Sequence, residues 1–115
     1  MKRVLIVEDE GLIALLLEEL MQRMGYDVVA VASTLAQALD LAGTAEIDFA
    51  MLDINLNGQE SFPAAAILRD RGIPVIFATG YGDSILGSEF ADALVVEKPF
   101  NREELRRALG RLPSR

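Results

Sequence analysis

A chain of 115 residues that is 51% hydrophobic is long enough for one domain with one core and too short for two. Its formal net charge of −7 argues against direct binding of nucleic acid, which requires clustered positive charge. Because it contains no cysteine and no histidine, disulfides, thiolate or imidazole metal sites and Ser-His or Cys-His catalysis are all excluded. No apolar stretch is long enough to span a membrane, the opening apolar run is too short for a signal peptide, and we expect a cytoplasmic protein.

Strand-like and helix-like segments alternate along the chain. An apolar run at 3–7 predicts a first buried strand, and 11–24 predicts an amphipathic helix that ends at Gly25. This helix is expected to bury one stripe, formed by Ile13, Leu16, Leu17, Leu20 and Met24. The next predicted elements are a strand at 27–31, a helix at 34–42, a strand at 47–52, a loop at 54–58, a helix capped by Ser61 with Pro63 in its first turn, strands at 73–78 and 93–96, and a last helix capped by Asn101. This alternation predicts an α/β fold with a parallel sheet that is covered on both faces.

Polar side chains follow the predicted strands at their C-terminal ends: Glu8 and Asp9, then Asp53, Thr79 and Lys98. Because these ends share one edge of a parallel sheet, the side chains should converge where α/β proteins bind ligands. Carboxylates in one pocket repel one another unless a cation lies between them, and oxygen ligands without histidine or cysteine favour Mg²⁺. The acids after the first strand would by themselves also fit a helix N-terminus, which attracts negative charge. Asp53 at the same edge favours the metal site.

Asp53 directly follows a strand whose residues are almost all apolar. We interpret it as a nucleophile that takes up a phosphoryl group and becomes an acyl phosphate. Lys98 would supply a positive charge to one phosphoryl oxygen, and Thr79 would donate a hydroxyl hydrogen bond to another. Phosphoryl transfer depends mainly on positioning and charge neutralisation, and these residue types supply both.

Over nearly its whole length the chain resembles the receiver domain of two-component response regulators. The segments that carry the resemblance are VLIVEDE at 4–10, MLD at 51–53, ATG at 78–80 and KPF at 98–100. The resemblance implies a flavodoxin-like (βα)5 sandwich of three layers, with a five-stranded parallel sheet in the order 2-1-3-4-5. We expect one receiver domain over 1–115 without an effector domain, as a monomer or weak dimer.

The resemblance also implies a role for Asp53 and its partners. Asp53 would accept phosphate from the phosphohistidine of a sensor histidine kinase or histidine phosphotransfer protein, and its state would switch the binding of a downstream protein that the sequence does not identify. Asp9 and Asp53 would ligate Mg²⁺ with the main-chain carbonyl of Asn55, while Glu8 would assist through water. Apart from its own phosphorylation and dephosphorylation, the domain is not expected to be an enzyme.

Thr79 and Lys98 would bind the phosphoryl group, and the Lys98–Pro99 peptide is expected to be cis, as is usual in the family. Most receivers carry an aromatic switch residue three positions before the lysine, where this chain has Val95. Tyr81 is a candidate substitute, since the run FATGYG at 77–82 is similar to an atypical receiver subgroup; it would otherwise be an ordinary loop aromatic. The segment from 79 to 98 is short and rich in glycine, so we expect its helix to be short, displaced or mobile.

Leu12 and Leu15 lie opposite the predicted core stripe of the first helix. They are either scattered exposed leucines, which are common, or a docking face for the helices of a kinase. Two other functions would require residues or loops that this sequence lacks. A Mg²⁺-dependent phosphohydrolase with an aspartyl-phosphate intermediate would need an aspartate at position 55, where this chain has Asn55. A flavin-binding domain would need a phosphate-binding loop after the first strand, where Glu8 and Asp9 would repel a phosphate.

Overall fold

The computed structural model of the protein describes residues 2–80, 90, 93–99 and 101–113. In chain order the elements are β1 (Arg3–Val7), α1 (Gly11–Arg23), β2 (Asp27–Ala32), α2 (Leu35–Thr44), β3 (Phe49–Asp53), β4 (Asn55–Leu56), β5 (Gln59–Glu60), α3 (Phe62–Asp70), β6 (Val75–Thr79), β7 (Leu94–Glu97) and α4 (Arg102–Gly110). No helix among the described residues is long and apolar enough to cross a membrane.

Five of the strands form one parallel sheet in the order β2-β1-β3-β6-β7. This is the predicted order 2-1-3-4-5, counted over the long strands. β3 is central and buried at all five positions, because both faces of the sheet are covered. One core cluster contains Leu52 and Phe77, and a second contains Met51 and Ile76. Neighbouring residues of each central strand therefore contribute to opposite sides of the sheet, which confirms the layered α/β fold.

Local signals fix most helix ends where the sequence predicts them. The Thr34 hydroxyl accepts a hydrogen bond from Gln37 N at 3.2 Å, and Asn101 Oδ1 accepts one from Glu104 N at 2.8 Å, so each side chain caps a helix. After α1 the chain turns at Gly25, whose φ of 89° suits glycine. Ser61 lies at the N-terminal end of α3, as predicted, but the prediction that its side chain caps the helix is wrong. The Ser61 side chain makes no capping bond, and its buried Oγ has no hydrogen-bond partner among the described residues.

Two further predictions about local structure are corrected. Leu16 was predicted to belong to the buried stripe of α1, but its side chain is 54% exposed, whereas Ala14 and Met21 are buried. The burial stripe of α1 is thus rotated away from Leu16. The predicted loop at 54–58 is instead part of a small antiparallel ladder, in which Asn55 pairs with Glu60 and Leu56 with Gln59. Leu56 is buried in the core cluster, and this anchors the hairpin.

Arg71 joins the C-terminal ends of two helices. It follows α3, and its guanidinium donates hydrogen bonds to Ala42 O at 2.5 Å and to Ala45 O at 2.8 Å, at the end of α2. Those carbonyl groups lie where a helix lacks internal donors and carries partial negative charge. A cation from one helix thereby caps the other. The sequence contains no short-range signal for this contact.

Candidate functional site

The ends of four adjacent strands bring the predicted polar residues together. Asp53 is the last residue of β3 and pairs in register with Ala78, which immediately precedes Thr79. Thr79 ends β6 and pairs with Glu97, which immediately precedes Lys98. Glu8 directly follows β1. Since β1, β3, β6 and β7 are parallel neighbours, all four side chains lie at one edge of the sheet.

Lys98 bridges two of the carboxylates. Its Nζ donates hydrogen bonds to Glu8 Oε1 at 2.8 Å and to Asp53 Oδ2 at 3.0 Å. The main chain fixes the base of the lysine, because Lys98 N donates to Thr79 O at 2.8 Å. The Lys98–Pro99 peptide is cis, as predicted. A cation is therefore held directly beside the candidate nucleophile, and the Thr79 residue that positions it is itself buried.

Burial and hydrogen bonding act in opposite senses on the pKa of Glu8 and on the pKa of Lys98, and both pKa values are raised. Burial raises the pKa of the Glu8 carboxyl to about 7, against the lowering effect of its hydrogen bonds to Lys98 and to Glu10 N. Burial by itself would lower the pKa of the Lys98 ammonium, but the bonds to Glu8 and Asp53 outweigh it and raise that pKa above its ordinary value. Lys98 consequently stays protonated, while the negative charge on Glu8 is only partly compensated.

Glu8, Asp9 and Glu10 form an acidic cluster next to this bridge. One carboxylate oxygen from each lies within 4.8 Å of the others. Glu10 N also donates to Glu8 Oε2 at 3.2 Å, which turns the buried carboxylate towards the start of α1. Every side chain in the cluster offers hard oxygen ligands, the kind that Mg²⁺ prefers. The donor chemistry of this cluster therefore fits a magnesium ion.

The β4–β5 hairpin closes the other side of the site. Asn55 N donates to Asp53 Oδ1 at 3.3 Å, and Asn57 N donates to Asp9 Oδ2 at 3.0 Å. The hairpin turn is tightened by Gly58 N, which donates to Asn55 Oδ1 at 2.7 Å. Asn57 and Gly58 both have positive φ, 53° and 86°, and asparagine and glycine tolerate this conformation best. Main-chain donors of the hairpin thus orient both candidate metal ligands.

The remaining predicted residues lie around this centre or outside the described part of the chain. Leu12 and Leu15 are 73% and 52% exposed on α1. Beside them a pocket of about 470 Å³ lies between α1 and the start of the segment after β7, and its lining includes Leu16, Leu20, Lys98 and Pro99. Val95 is half-buried in β7. Tyr81 and most of the segment 80–92 lie outside the described residues, so the predicted switch and the predicted short helix there stay predictions.

The family model for the response regulator receiver domain matches residues 4–110. The chain belongs to this family. Its fold and phosphoacceptor class of function in two-component signalling are those of receiver domains. SdrG from Sphingomonas melonis Fr1, whose solution structure is known, is 40% identical, with a TM-score of 0.84 over 96% of this chain and 94% of that one.

Other receivers extend this picture. PhyR from Methylorubrum extorquens is 37% identical over 101 residues, which are 84% of this chain and 38% of PhyR. The chain spans about half the length, or less, of most of the curated relatives it matches first. The receiver domain of the sensor histidine kinase PA1611 from Pseudomonas aeruginosa is 27% identical with a TM-score of 0.80, over 96% of this chain and 95% of that one, and holds a magnesium ion in its active site cleft.

Three contributors to the site of this receiver were not predicted from its sequence. Asn57 N donates a hydrogen bond to Asp9 Oδ2. The sequence does not indicate this contact, because a main-chain donor does not depend on the type of side chain. Glu10 adds a third carboxylate to the cluster, and Leu16 lines the pocket beside Lys98. Glu10 was visible in the sequence as the last acid of the run at 8–10. The exposure of Leu16 depends on how α1 is rotated against the sheet, which its leucine-rich sequence does not specify.

Proposed function

We propose that Asp53 accepts a phosphoryl group from the phosphohistidine of a sensor histidine kinase or histidine phosphotransfer protein. In this transfer an Asp53 oxygen forms a bond to phosphorus while the bond between phosphorus and the histidine nitrogen breaks. The observation that carries the proposal is the 3.0 Å contact between Asp53 Oδ2 and Lys98 Nζ at the carboxyl edge of the sheet, beside the acidic cluster. The phosphorylated domain then binds a downstream protein in the cytoplasm.

The residues around Asp53 have distinct parts in this proposal. Asp9 and Asp53 would hold Mg²⁺ together with the main-chain carbonyl of Asn55, and Glu8 would assist through water. When bound, the ion would supply charge neutralisation for the incoming phosphoryl oxygens. Lys98 moves from the carboxylates to a phosphoryl oxygen as the charge on Asp53 is taken up by the new bond. Thr79, buried at the end of β6, donates its hydroxyl to another phosphoryl oxygen.

The exposed leucines of α1 offer a surface for the phosphodonor. Leu12, Leu15 and Leu16 are exposed on α1, the helix that begins directly after the acidic cluster. Leu16 also lines the pocket that reaches Lys98 and Pro99. A helix pair that packs its apolar side chains on α1 would bring a phosphohistidine to the edge of the sheet where Asp53 lies. Contiguous exposed apolar side chains are typical of interaction sites.

The alternative of a phosphohydrolase acting on other substrates is not favoured. Such an enzyme would use an acidic group two residues after its nucleophile, and this chain has Asn55, whose side-chain oxygen is already engaged by Gly58 N. The function proposed for the domain is therefore its own phosphorylation and dephosphorylation, with no separate substrate.

Incubation with Mg²⁺ and acetyl phosphate, followed by intact-mass measurement, tests the proposal. A gain of one phosphate is expected for the wild type and for Asp40→Asn, a matched change of an exposed aspartate on α2. Asp53→Asn should show no gain. A phosphate that still appears on Asp53→Asn would contradict the assignment of the acceptor.

A further inference from the structure

Three phenylalanines from different elements meet on one side of the sheet. Phe62 lies at the start of α3, Phe77 in β6, and Phe90 in the connection between β6 and β7. Phe90 stacks on Phe62 with ring centroids 5.4 Å apart and an interplanar angle of 16°. It also meets Phe77 edge to face, at 5.4 Å and 79°. The guanidinium carbon of Arg69 lies 5.2 Å from the centre of the Phe90 ring, within the range of a cation–π contact. Phe90 is therefore held by three different side chains.

Val95 belongs to the same cluster. It pairs in register with Phe77 across the β6–β7 ladder, and Val95, Ala93 and Phe90 all pack against the core cluster that contains Phe77. Position 95 is where the resemblance leads one to expect an aromatic switch residue. Valine is too small to make the ring contacts of such a residue. Among the described residues, the rings in contact with Phe77 are those of Phe62 and Phe90, and of these two only Phe90 lies in the connection that leads to Val95.

The cluster is also linked directly to the phosphorylation site. Phe77 and Thr79 are two residues apart in β6, so their side chains lie on the same face of the sheet. Thr79 O accepts the hydrogen bond of Lys98 N, which connects the end of β6 to the lysine beside Asp53. A displacement of Thr79 towards a group on Asp53 would therefore move Phe77 first, and then the Phe90 ring that contacts Phe77.

We propose that Phe90 transmits the phosphorylation state of Asp53 to the connection between β6 and β7, in place of the aromatic side chain that Val95 lacks. The proposal rests on the proposed function, because it needs a phosphoryl group at Asp53. When Thr79 bonds to that group, the edge contact between Phe77 and Phe90 is repacked. The shift of the Phe90 ring then moves Ala93 and Val95 and alters the surface near Arg69.

Amide NMR spectra recorded before and after addition of Mg²⁺ and beryllofluoride test this inference. In the wild type, the amide signals of Thr79 and Lys98 should shift, and those of Ala93 and Val95 should shift with them. In Phe90→Leu the Ala93 and Val95 changes should fall to half or less, while the Thr79 and Lys98 changes are retained. A purely structural role for Phe90 would alter the spectrum of the unmodified protein without uncoupling the two responses.

Tyr26→Leu is the matched control, because Tyr26 makes an edge-to-face pair with Phe49 in the other core cluster. It should leave the response of Ala93 and Val95 intact. If Phe90→Leu does not fold, Arg69→Gln removes the cation from the Phe90 ring and should also reduce that response. If the Ala93 and Val95 signals shift as much in Phe90→Leu as in the wild type, the inference is overturned. The same holds for Arg69→Gln where Phe90→Leu does not fold. The inference is also overturned if only Tyr81→Leu abolishes these shifts. Failure of Thr79 and Lys98 to shift in the wild type would instead overturn the proposed function itself.

Discussion

Lys98 Nζ lies 3.0 Å from Asp53 Oδ2 and is simultaneously bonded to Glu8 at 2.8 Å. One partly buried cation thus shares its charge between the candidate nucleophile and a neighbouring carboxylate. Before phosphorylation the lysine holds these two acids together at the strand ends, and Thr79 O fixes its main chain. A phosphoryl group on Asp53 would offer the same ammonium group stronger acceptors, so Lys98 is the side chain whose partners must change most.

Lys98→Gln should slow phosphorylation of Asp53 from acetyl phosphate by roughly 100-fold, since it removes one fixed charge that faces the transferring group. Lys98→Arg keeps the charge and should retain more of the rate, although the guanidinium does not fit a site built for a compact ammonium. The rates can be followed by intact mass at fixed Mg²⁺ concentration. Equal rates in Lys98→Gln and the wild type would show that the lysine does not stabilise the transfer.

Asp9→Asn should remove most of the stabilisation that Mg²⁺ gives to the protein. A ligand that binds only the folded state stabilises it by about 2.7 kcal/mol at 100 times its Kd. Asp9 is oriented by Asn57 N and lies in the acidic cluster, so loss of its charge should raise the Kd for Mg²⁺. Thermal unfolding with increasing Mg²⁺ measures this. Glu46→Gln, an exposed change outside the site, should behave as the wild type, and an unchanged Mg²⁺ response in Asp9→Asn would contradict the ligand assignment.

Glu8→Gln should stabilise the metal-free protein at pH 8. Burial raises the pKa of Glu8 from 4.5 to about 7, so between these values the folded state binds more protons than the unfolded state. The contribution of Glu8 to stability therefore falls as the pH rises from about 4.5 to 7 and stays low above that. With each pKa unit equal to about 1.4 kcal/mol, the substitution should raise the free energy of unfolding at pH 8 by about 1 kcal/mol or more.

Urea unfolding in EDTA at pH 5 and pH 8 measures this effect as the difference between wild type and Glu8→Gln, because all other titrating groups are shared. The advantage of Glu8→Gln should be absent at pH 5, grow by pH 8, and shrink again when Mg²⁺ is added, since a bound cation favours the carboxylate. If wild type and Glu8→Gln differ in stability by the same amount at pH 5 and pH 8, burial does not disfavour the charged form of Glu8.

The parallel sheet and the convergence of Asp53, Thr79 and Lys98 could be predicted from apolar strand runs that end in polar residues. The order of the strands in the sheet followed from the resemblance to receiver domains. Contacts made by the main chain were not predictable in this way. Asn57 N donates to Asp9 because the short β4–β5 ladder places it there, and every residue type except proline carries such a main-chain donor. The Arg71 contact with Ala42 O joins residues 29 positions apart and likewise depends on how α2 and α3 pack.

The orientation of α1 was mispredicted for a related reason. Leucine occupies positions 12, 15, 16, 17 and 20, so apolar residues surround much of the helix and several stripes are possible. Packing against the sheet selects Leu17 and Met21 for burial and leaves Leu16 exposed. The pattern of apolar residues identifies the buried face of a helix reliably only where the opposite face is polar.

Leu16→Gln and Leu17→Gln should therefore differ sharply. Leu16 is 54% exposed, and its substitution should change the free energy of unfolding by about 0.5 kcal/mol or less. Leu17 is 3% exposed, and its substitution removes a buried side chain and buries an amide, at a cost of about 2 kcal/mol or more. Urea unfolding of both variants measures the difference. Leu16→Gln should also keep the acetyl phosphate reaction of Asp53, and equal losses of stability in the two variants would contradict the orientation of α1.

Arg71→Ala should destabilise the protein by about 1–3 kcal/mol, because it removes the two donors that satisfy Ala42 O and Ala45 O at the end of α2. Arg71→Lys keeps a positively charged hydrogen-bond donor near these carbonyl groups, without the fork geometry of the guanidinium, and should lose less. Arg107→Ala, on the exposed face of α4, is the matched control and should change stability by no more than about 0.5 kcal/mol. Because Arg71 lies outside the phosphorylation site, all three variants should still gain one phosphate. A stability of Arg71→Ala equal to that of Arg107→Ala would show that the guanidinium does not hold α2 and α3 together.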